Sequence, residues 1–287
     1  MTPTPTASFP ASVGVLGGGR MGTGIAHAFL VAGSEVTVLE ADDDRAQAAG
    51  RRVCDLVERT AERGLLTGAV EETTAGLDVS TTYATLETCE LIVEAVPEDR
   101  ALKQRLLGRL SEVLAADAVV ASNTSSFSIT DLARHVVGPG RFLGMHFFNP
   151  VPSSDLVEVV VGRDTDPAVV ARVESWVTTL GKTPVTVADS PGFATSRLGL
   201  ALGLEAIRIL EDGVAPAADI DAAMVLGYRH PVGPLRLTDM VGLDVRLGVA
   251  DYLAEKLGER FRAPQLLRDK VADGELGRKV GRGFHVW

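Results

Sequence analysis

The sequence predicts an α/β fold, a doubly wound sheet in the N-terminal part followed by a smaller all-helical C-terminal domain. Three observations carry that expectation. A glycine-rich turn, Val13 to Gly24 (VGVLGGGRMGTG), sits between an apolar run and an amphipathic one. Short apolar segments then alternate with helical patterns as far as Val187. Beyond Asp189-Ser190-Pro191-Gly192 the patterns are long and helical, with no convincing strand. The boundary is placed near Ala188, giving domains 1–188 and 189–287.

Val13-Gly14-Val15-Leu16 reads as a buried first strand running into Gly17, Gly19 and Gly22, spaced G-x-G-x-x-G. The first glycine permits the tight turn, the second lets a pyrophosphate approach, and the third lets helix pack on strand. Gly18, Arg20 and Met21 fill the same turn. From Thr23 to Ala32 the apolar residues recur at helical spacing, so a helix N-terminus offers N–H groups to phosphates. Glu35 to Glu40 is a second strand, closing on an acid about twenty residues after the turn, where a dinucleotide fold places the carboxylate for the adenosine ribose. That carboxylate would repel a 2′-phosphate, which favours NAD over NADP. Together these features make the first domain Rossmann-type.

Asp42-Asp43-Asp44 can cap a helix reaching about Arg63. Its arginines Arg51, Arg52, Arg59 and Arg63 form either a solvated face or a site for the phosphates of a carrier such as coenzyme A. Glu71 to Thr85 reads as a helical turn and a short strand. Leu91 to Val96 is a buried strand stopped by Pro97, with Glu98 and Lys103 leading into a helix that ends at Leu114. Ala118 to Ala121 is the next strand, running into Ser122-Asn123-Thr124-Ser125-Ser126 at the sheet's carboxyl edge, where doubly wound folds bind ligands. Phe142 to Pro150 and Leu156 to Val161 follow, then a helix from Asp166-Pro167 to Leu180 and a last strand at Pro184 to Val187. In the second domain Arg197 to Glu211 is apolar nearly all round, which predicts a central buried helix. Ile220 to Leu226 and Val241 to Leu257 add helices, joined by the rigid segment His230 to Pro234.

The chain has 287 residues, 46% hydrophobic and 23% charged, as in an ordinary globular protein. A net charge of −10 argues against a nucleic-acid or membrane-surface role. Cys54 and Cys89 form no C-x-x-C pair, which points to reduced thiols and a cytoplasmic setting. The opening MTPTPTASFPA reads as a polar tail rather than a signal peptide. No apolar stretch is long enough for a membrane helix. The five histidines show no H-x-x-x-H spacing, so no metal site is expected.

His146 and Glu158 are the candidates for proton transfer, both on strand-like segments. A histidine can take an alcohol's proton as a hydride leaves its carbon, and a carboxylate behind it would fix the tautomer. Ser125 and Asn149 are placed to hydrogen-bond substrate oxygen or nicotinamide. On the residues alone, a histidine beside two phenylalanines reads first as a packed one. A serine hydrolase is the competing chemistry, but no G-x-S-x-G elbow is present.

Four motifs in order, SNTSS at Ser122 to Ser126, HFFNP at His146 to Pro150, LVEVV at Leu156 to Val160 and GRKVGRGF at Gly277 to Phe284, resemble the L-3-hydroxyacyl-CoA dehydrogenase family from Val13 to the C-terminus. The resemblance implies an enzyme that oxidises a short-chain (S)-3-hydroxyacyl-CoA to the 3-oxoacyl-CoA with NAD. It assigns His146 as general base, Glu158 as its orienting acid, and Ser125 and Asn149 to substrate and nicotinamide. Glu98, Lys103 and Lys279 match positions on the cofactor side, and Arg63 a basic position used for coenzyme A. It also implies a homodimer through the helical domain. The chain departs from the pattern twice: Ser196 replaces an asparagine that polarises the thioester carbonyl, and Ser154-Asp155 replaces a Met-Lys pair. These departures keep open a carrier-protein-bound hydroxyacyl group or a free hydroxy acid or polyol as substrate. A catalytically silent NAD-binding structural or sensor protein is the reading from a different class.

Overall fold

The computed structural model describes residues 8–287, so most of the expected N-terminal tail lies outside the described residues. Two compact units divide the chain, the first ending at Asp189 and the second beginning at Ser190.

The first unit is built on eight strands: β1 (Ser12–Leu16), β2 (Glu35–Leu39), β3 (Leu77–Ser80), β4 (Leu91–Glu94), β5 (Val119–Ser122), β6 (Phe142–Phe147), β7 (Leu156–Val161) and β8 (Thr183–Ala188). Their order is β3-β2-β1-β4-β5-β6-β7-β8. All neighbours pair in parallel except β6 and β7, so the last two strands run against the rest. Six helices pack on this sheet or link its strands: α1 (Arg20–Val31), α2 (Asp43–Glu62), α3 (Val70–Thr74), α4 (Arg100–Ser111), α5 (Ile129–Ala133) and α6 (Pro167–Thr179). The strands are continuous apolar runs because a parallel sheet is covered on both faces. Val13, Val15, Val36, Val38, Leu91, Val93, Val157 and Val159 meet Ile25, Phe29, Val53, Val57, Val173 and Trp176 in one core.

Several boundaries differ from expectation. α1 starts at Arg20 rather than Thr23, because the glycine turn feeds the helix directly. β4 stops at Glu94 rather than Val96, since the Glu94 carboxylate accepts the Val96 N–H and bends the chain away. α4 ends at Ser111 rather than Leu114, its last N–H groups bonding three residues back in a tightened turn.

The second unit is helical among the described residues: α7 (Thr195–Glu211), α8 (Ala217–Ala222), α9 (Pro234–Val241), α10 (Leu243–Leu257) and α11 (Gln265–Ala272). α7 is not buried all round. Leu200, Leu204, Ala206 and Ile207 enter the core, whereas Leu198 is 71% exposed. The expected helix from Val241 to Leu257 is two, broken at Gly242, whose φ of +107° ends α9. The helix at Gln265 was not anticipated from the sequence.

Buried carboxylates clasp the chain's end to this core. Asp239 accepts the backbone N–H groups of Phe284 and His285 and the Trp287 indole N–H. Asp221 accepts the N–H groups of Leu235 and Arg236 and bonds His285 Nε2 at 2.8 Å. The chain closes so tightly here that a Cβ on Gly277 would lie 2.3 Å from the Asp239 carbonyl, and one on Gly283 2.1 Å from its carboxylate. Asp239→Ala strands these donors and is expected to cost about 3 kcal/mol. A fall in the urea midpoint at unchanged m-value checks it.

Candidate active site

Gly17 leaves β1 with φ +100°, and a Cβ on Gly22 would lie 1.8 Å from the Gly17 carbonyl oxygen. Those two glycines are demanded by the protein's own packing. Gly19 is not: its φ is −70°, and a Cβ there would meet nothing within 4 Å. It is the N-cap of α1, no side chain caps that helix, and the open face is the approach a pyrophosphate needs. This glycine therefore fits a dinucleotide and has no other evident cause.

Glu40 lies beside the turn, with Oε1 accepting the Gly18 N–H at 2.7 Å and Oε2 the Ala41 N–H at 3.1 Å. Arg52 donates to the Gly18 carbonyl at 2.7 Å, so this peptide is held from both sides. A cavity of about 1140 Å³ is bordered both by this turn and by Ser125, His146 and Asn149. Gly17, Gly18, Gly19, Arg20, Met21, Glu40 and Glu98 also border it.

Lys103 does not border it, contrary to expectation. It is 1% exposed, with Nζ 2.7 Å from Glu94 and 3.3 Å from Glu98, and it donates to the Val96 carbonyl. Glu94 also accepts the Ser122 hydroxyl at 2.5 Å. Glu98 accepts the hydroxyls of Thr124 and Ser126 and the Ser125 N–H. The lysine thus bridges two carboxylates beneath the SNTSS loop, and Glu98 fixes where Ser125 stands.

His146 and Glu158 are direct cross-strand partners in the antiparallel β6–β7 pair, so their side chains leave one face of the sheet together. His146 Nδ1 lies 2.7 Å from Glu158 Oε2. His146 is 7% exposed and its ring packs 4.4 Å from that of Phe148. The carboxylate accepts Nδ1–H, which makes Nε2 the basic nitrogen. Asn123, at the end of β5, accepts the Phe147 N–H at 2.8 Å and ties the SNTSS loop to β6.

The remaining expected residues are not gathered into this cavity. Arg63 is the exposed C-cap of α2. Ser196 opens α7, and Lys279 pairs with Asp244 at 2.6 Å, both in the second unit. Lys182 supplies a cation near Asp155 and donates to the Val151 and Ser154 carbonyls, fixing the segment after HFFNP. The sequence reading missed several cavity residues: Arg45, Tyr83, Arg105 and Arg109. Arg52 borders the glycine turn rather than a carrier's phosphates. Helical spacing held a signal, since Arg45 and Arg52 share a face of α2 and Arg105 and Arg109 a face of α4. Tyr83, whose ring lies 4.4 Å beneath the Arg109 guanidinium, follows no such period. Among the described residues no cluster of metal-ligating side chains exists, and no helix is long and apolar enough to cross a membrane.

Because a Cβ at Gly19 meets no protein atom, Gly19→Val is expected to leave thermal stability without cofactor unchanged. NADH affinity should fall more than about tenfold as the side chain fills the phosphate approach. Differential scanning fluorimetry beside an NADH fluorescence titration separates the two effects.

Residues 12–190 match the model of the 3-hydroxyacyl-CoA dehydrogenase NAD binding domain, and residues 192–287 that of the C-terminal domain. A 3-hydroxybutyryl-CoA dehydrogenase of Mycobacterium tuberculosis is 43% identical over 96% of this chain and 98% of its own. The mitochondrial hydroxyacyl-coenzyme A dehydrogenase of Rattus norvegicus is 37% identical over 96% of this chain and 90% of its own. The crystal structure of (S)-3-hydroxybutyryl-CoA dehydrogenase from Ralstonia eutropha superposes with a TM-score of 0.93 at 39% identity, covering 97% of this chain and 99% of that one. With both domain models matched end to end and His146, backed by the buried Glu158, bordering the same cavity as the glycine turn, the chain belongs to the 3-hydroxyacyl-CoA dehydrogenase family.

Proposed function

We propose that this protein is an NAD-dependent (S)-3-hydroxyacyl-CoA dehydrogenase acting reversibly on short acyl chains, with His146 as general base. The observation that carries the reading is His146, bonded to Glu158, bordering the same cavity as the Gly17–Gly19 turn. The glycine turn and Glu40 would hold NAD, which would supply the two-electron acceptor for the hydrogen at C3. His146 Nε2 takes the hydroxyl proton as the C3 carbonyl forms, and returns it in the reverse direction. Glu158 holds the ring in the tautomer that can do this and stabilises the imidazolium formed. Ser125, positioned by Glu98, and Asn149 are assigned to hydrogen bonds with the substrate oxygen and the nicotinamide carboxamide. Lys103 is assigned a positioning role through Glu98, and Arg63 and Lys279 remain candidates for the carrier and cofactor. Ser196 is assigned the thioester carbonyl, where a single hydroxyl donor replaces the family's carboxamide. A homodimer through the helical unit and a cytoplasmic location complete the reading.

The test is NADH oxidation with acetoacetyl-CoA beside acetoacetate. Fast turnover with the thioester alone supports the proposal. Equal use of the free acid moves the assignment to a hydroxy-acid dehydrogenase, and no turnover of either favours the non-catalytic reading. His146→Ala is expected to lower kcat about 10³-fold with NADH affinity nearly unchanged, the range of a lost general base. Glu158→Gln should cost about a hundredfold by the same logic of tautomer and charge. Stopped-flow turnover with a parallel NADH titration checks both.

A further inference from the structure

The cavity beside the glycine turn is cationic in a chain whose net charge is −10. Arg20, Arg45, Arg52, Arg105 and Arg109 border it, against only two acids, Glu40 and Glu98. Glu98 is already answered by Lys103, whose Nζ lies 3.3 Å away. Among the described residues Arg105 and Arg109 form no ion pair, and the Arg109 guanidinium lies over the Tyr83 ring instead. A dinucleotide's pyrophosphate belongs on the open N-terminus of α1, where Arg20 is the first residue. That group alone does not account for the remaining arginines.

Cation and acid come together at one residue of the turn. Gly18 gives its N–H to Glu40 Oε1 at 2.7 Å and accepts Arg52 Nη2 on its carbonyl at 2.7 Å. A guanidinium and a carboxylate therefore flank a single glycine. Helix α2 packs directly against it, for a Cβ on Gly18 would lie 2.4 Å from the Ala49 Cβ. Arg45, Ala48 and Arg52 follow one another at helical spacing and all border the cavity. In dinucleotide folds an acid in the place of Glu40 receives the ribose 2′-hydroxyl, and a nearby arginine accommodates a 2′-phosphate. Here both are present. Glu40 already accepts the N–H groups of Gly18 and Ala41, so the repulsion expected of it is weakened on one side by those bonds and on the other by guanidinium groups.

We propose that the cavity beside Glu40 also admits an adenosine carrying a 2′-phosphate, held by Arg45 and Arg52, so that NADPH serves beside NADH. The inference rests on the dehydrogenase reading and widens its cofactor. A guanidinium matches a phosphate with two parallel charge-assisted hydrogen bonds, and arginine rather than lysine stands at both positions. Glu40 keeps its bonds to the turn and remains an acceptor for the ribose 3′-hydroxyl. Arg105 and Arg109, on the same cavity, add to its attraction for an anion. The added phosphate takes no part in the reaction. The hydride goes to C3 and the proton to its oxygen whichever dinucleotide is bound.

The test titrates the full-length protein with NADPH and with NADH by fluorescence, without substrate, and then compares their turnover with acetoacetyl-CoA. The wild type is expected to bind NADPH within about tenfold of NADH, one charge-assisted contact offsetting the carboxylate. Arg45→Gln and Arg52→Gln should each lower the NADPH-to-NADH affinity ratio by about tenfold, and Glu40→Gln should raise it. The Arg45 side chain pairs only with Asp42 among the described residues, so its variant leaves the bonds of the turn intact. Weaker wild-type binding of NADPH overturns the proposal. So does an equal loss for both dinucleotides in the two arginine variants, which assigns these residues to the pyrophosphate. Adenosine 3′,5′-bisphosphate displacing NADH better than its 2′,5′ isomer overturns it too, and gives the charge to the 3′-phosphate of coenzyme A. Failure of the dehydrogenase reading looks different: both dinucleotides bind and neither is oxidised with acetoacetyl-CoA.

Discussion

His146 meets Glu158 because β7 turns back against β6, whereas every other neighbouring pair in the sheet runs parallel. In an antiparallel ladder directly opposed residues leave the same face, so a one-residue slip would send one member of the pair into the Met145–Val159 core. The short turn Val151–Ser153 and the Lys182 bonds to Val151 and Ser154 fix where β7 begins. Gly144, two residues before His146, has Val160 and Ile129 closed upon it, which locks the same face from the other end. The pairing of His146 with Glu158 is thus a consequence of strand register. It depends on backbone geometry more than on the two side chains' own attraction.

The centre of the sheet handles charge by pairing. Glu94 at the end of β4 and Glu98 after it would repel each other and any bound phosphate. Lys103 bridges both and is itself withdrawn from the cavity. Because Glu98 then gathers Thr124, Ser125 and Ser126, one lysine stabilises a loop it never touches directly. His27 illustrates another solution. Burial, helped by nearby Lys182, pushes its pKa down to about 4, so the ring is neutral at physiological pH and its unpartnered Nδ1 costs little. Arginine has no such escape near neutral pH: burial pushes the Arg246 guanidinium down only to about 10, so it stays charged there. Arg246 therefore keeps its charge where His27, bonded to Thr60 through Nε2, sheds its own.

Much of the fold was legible because strands covered on both faces must be apolar runs and because glycine spacing encodes a turn. The His146–Glu158 pair was legible as residue types and motif order, but nothing in the sequence states that β7 runs backward. Lys103 could be marked as important, yet its withdrawal beneath Glu98 depends on tertiary packing that a linear pattern does not contain. Helix ends were harder: Gly242 sits inside an apolar period that continues across it, and only its positive φ breaks the helix. Tyr83 reaches the cavity from a segment without periodicity, where no sequence rule assigns a direction.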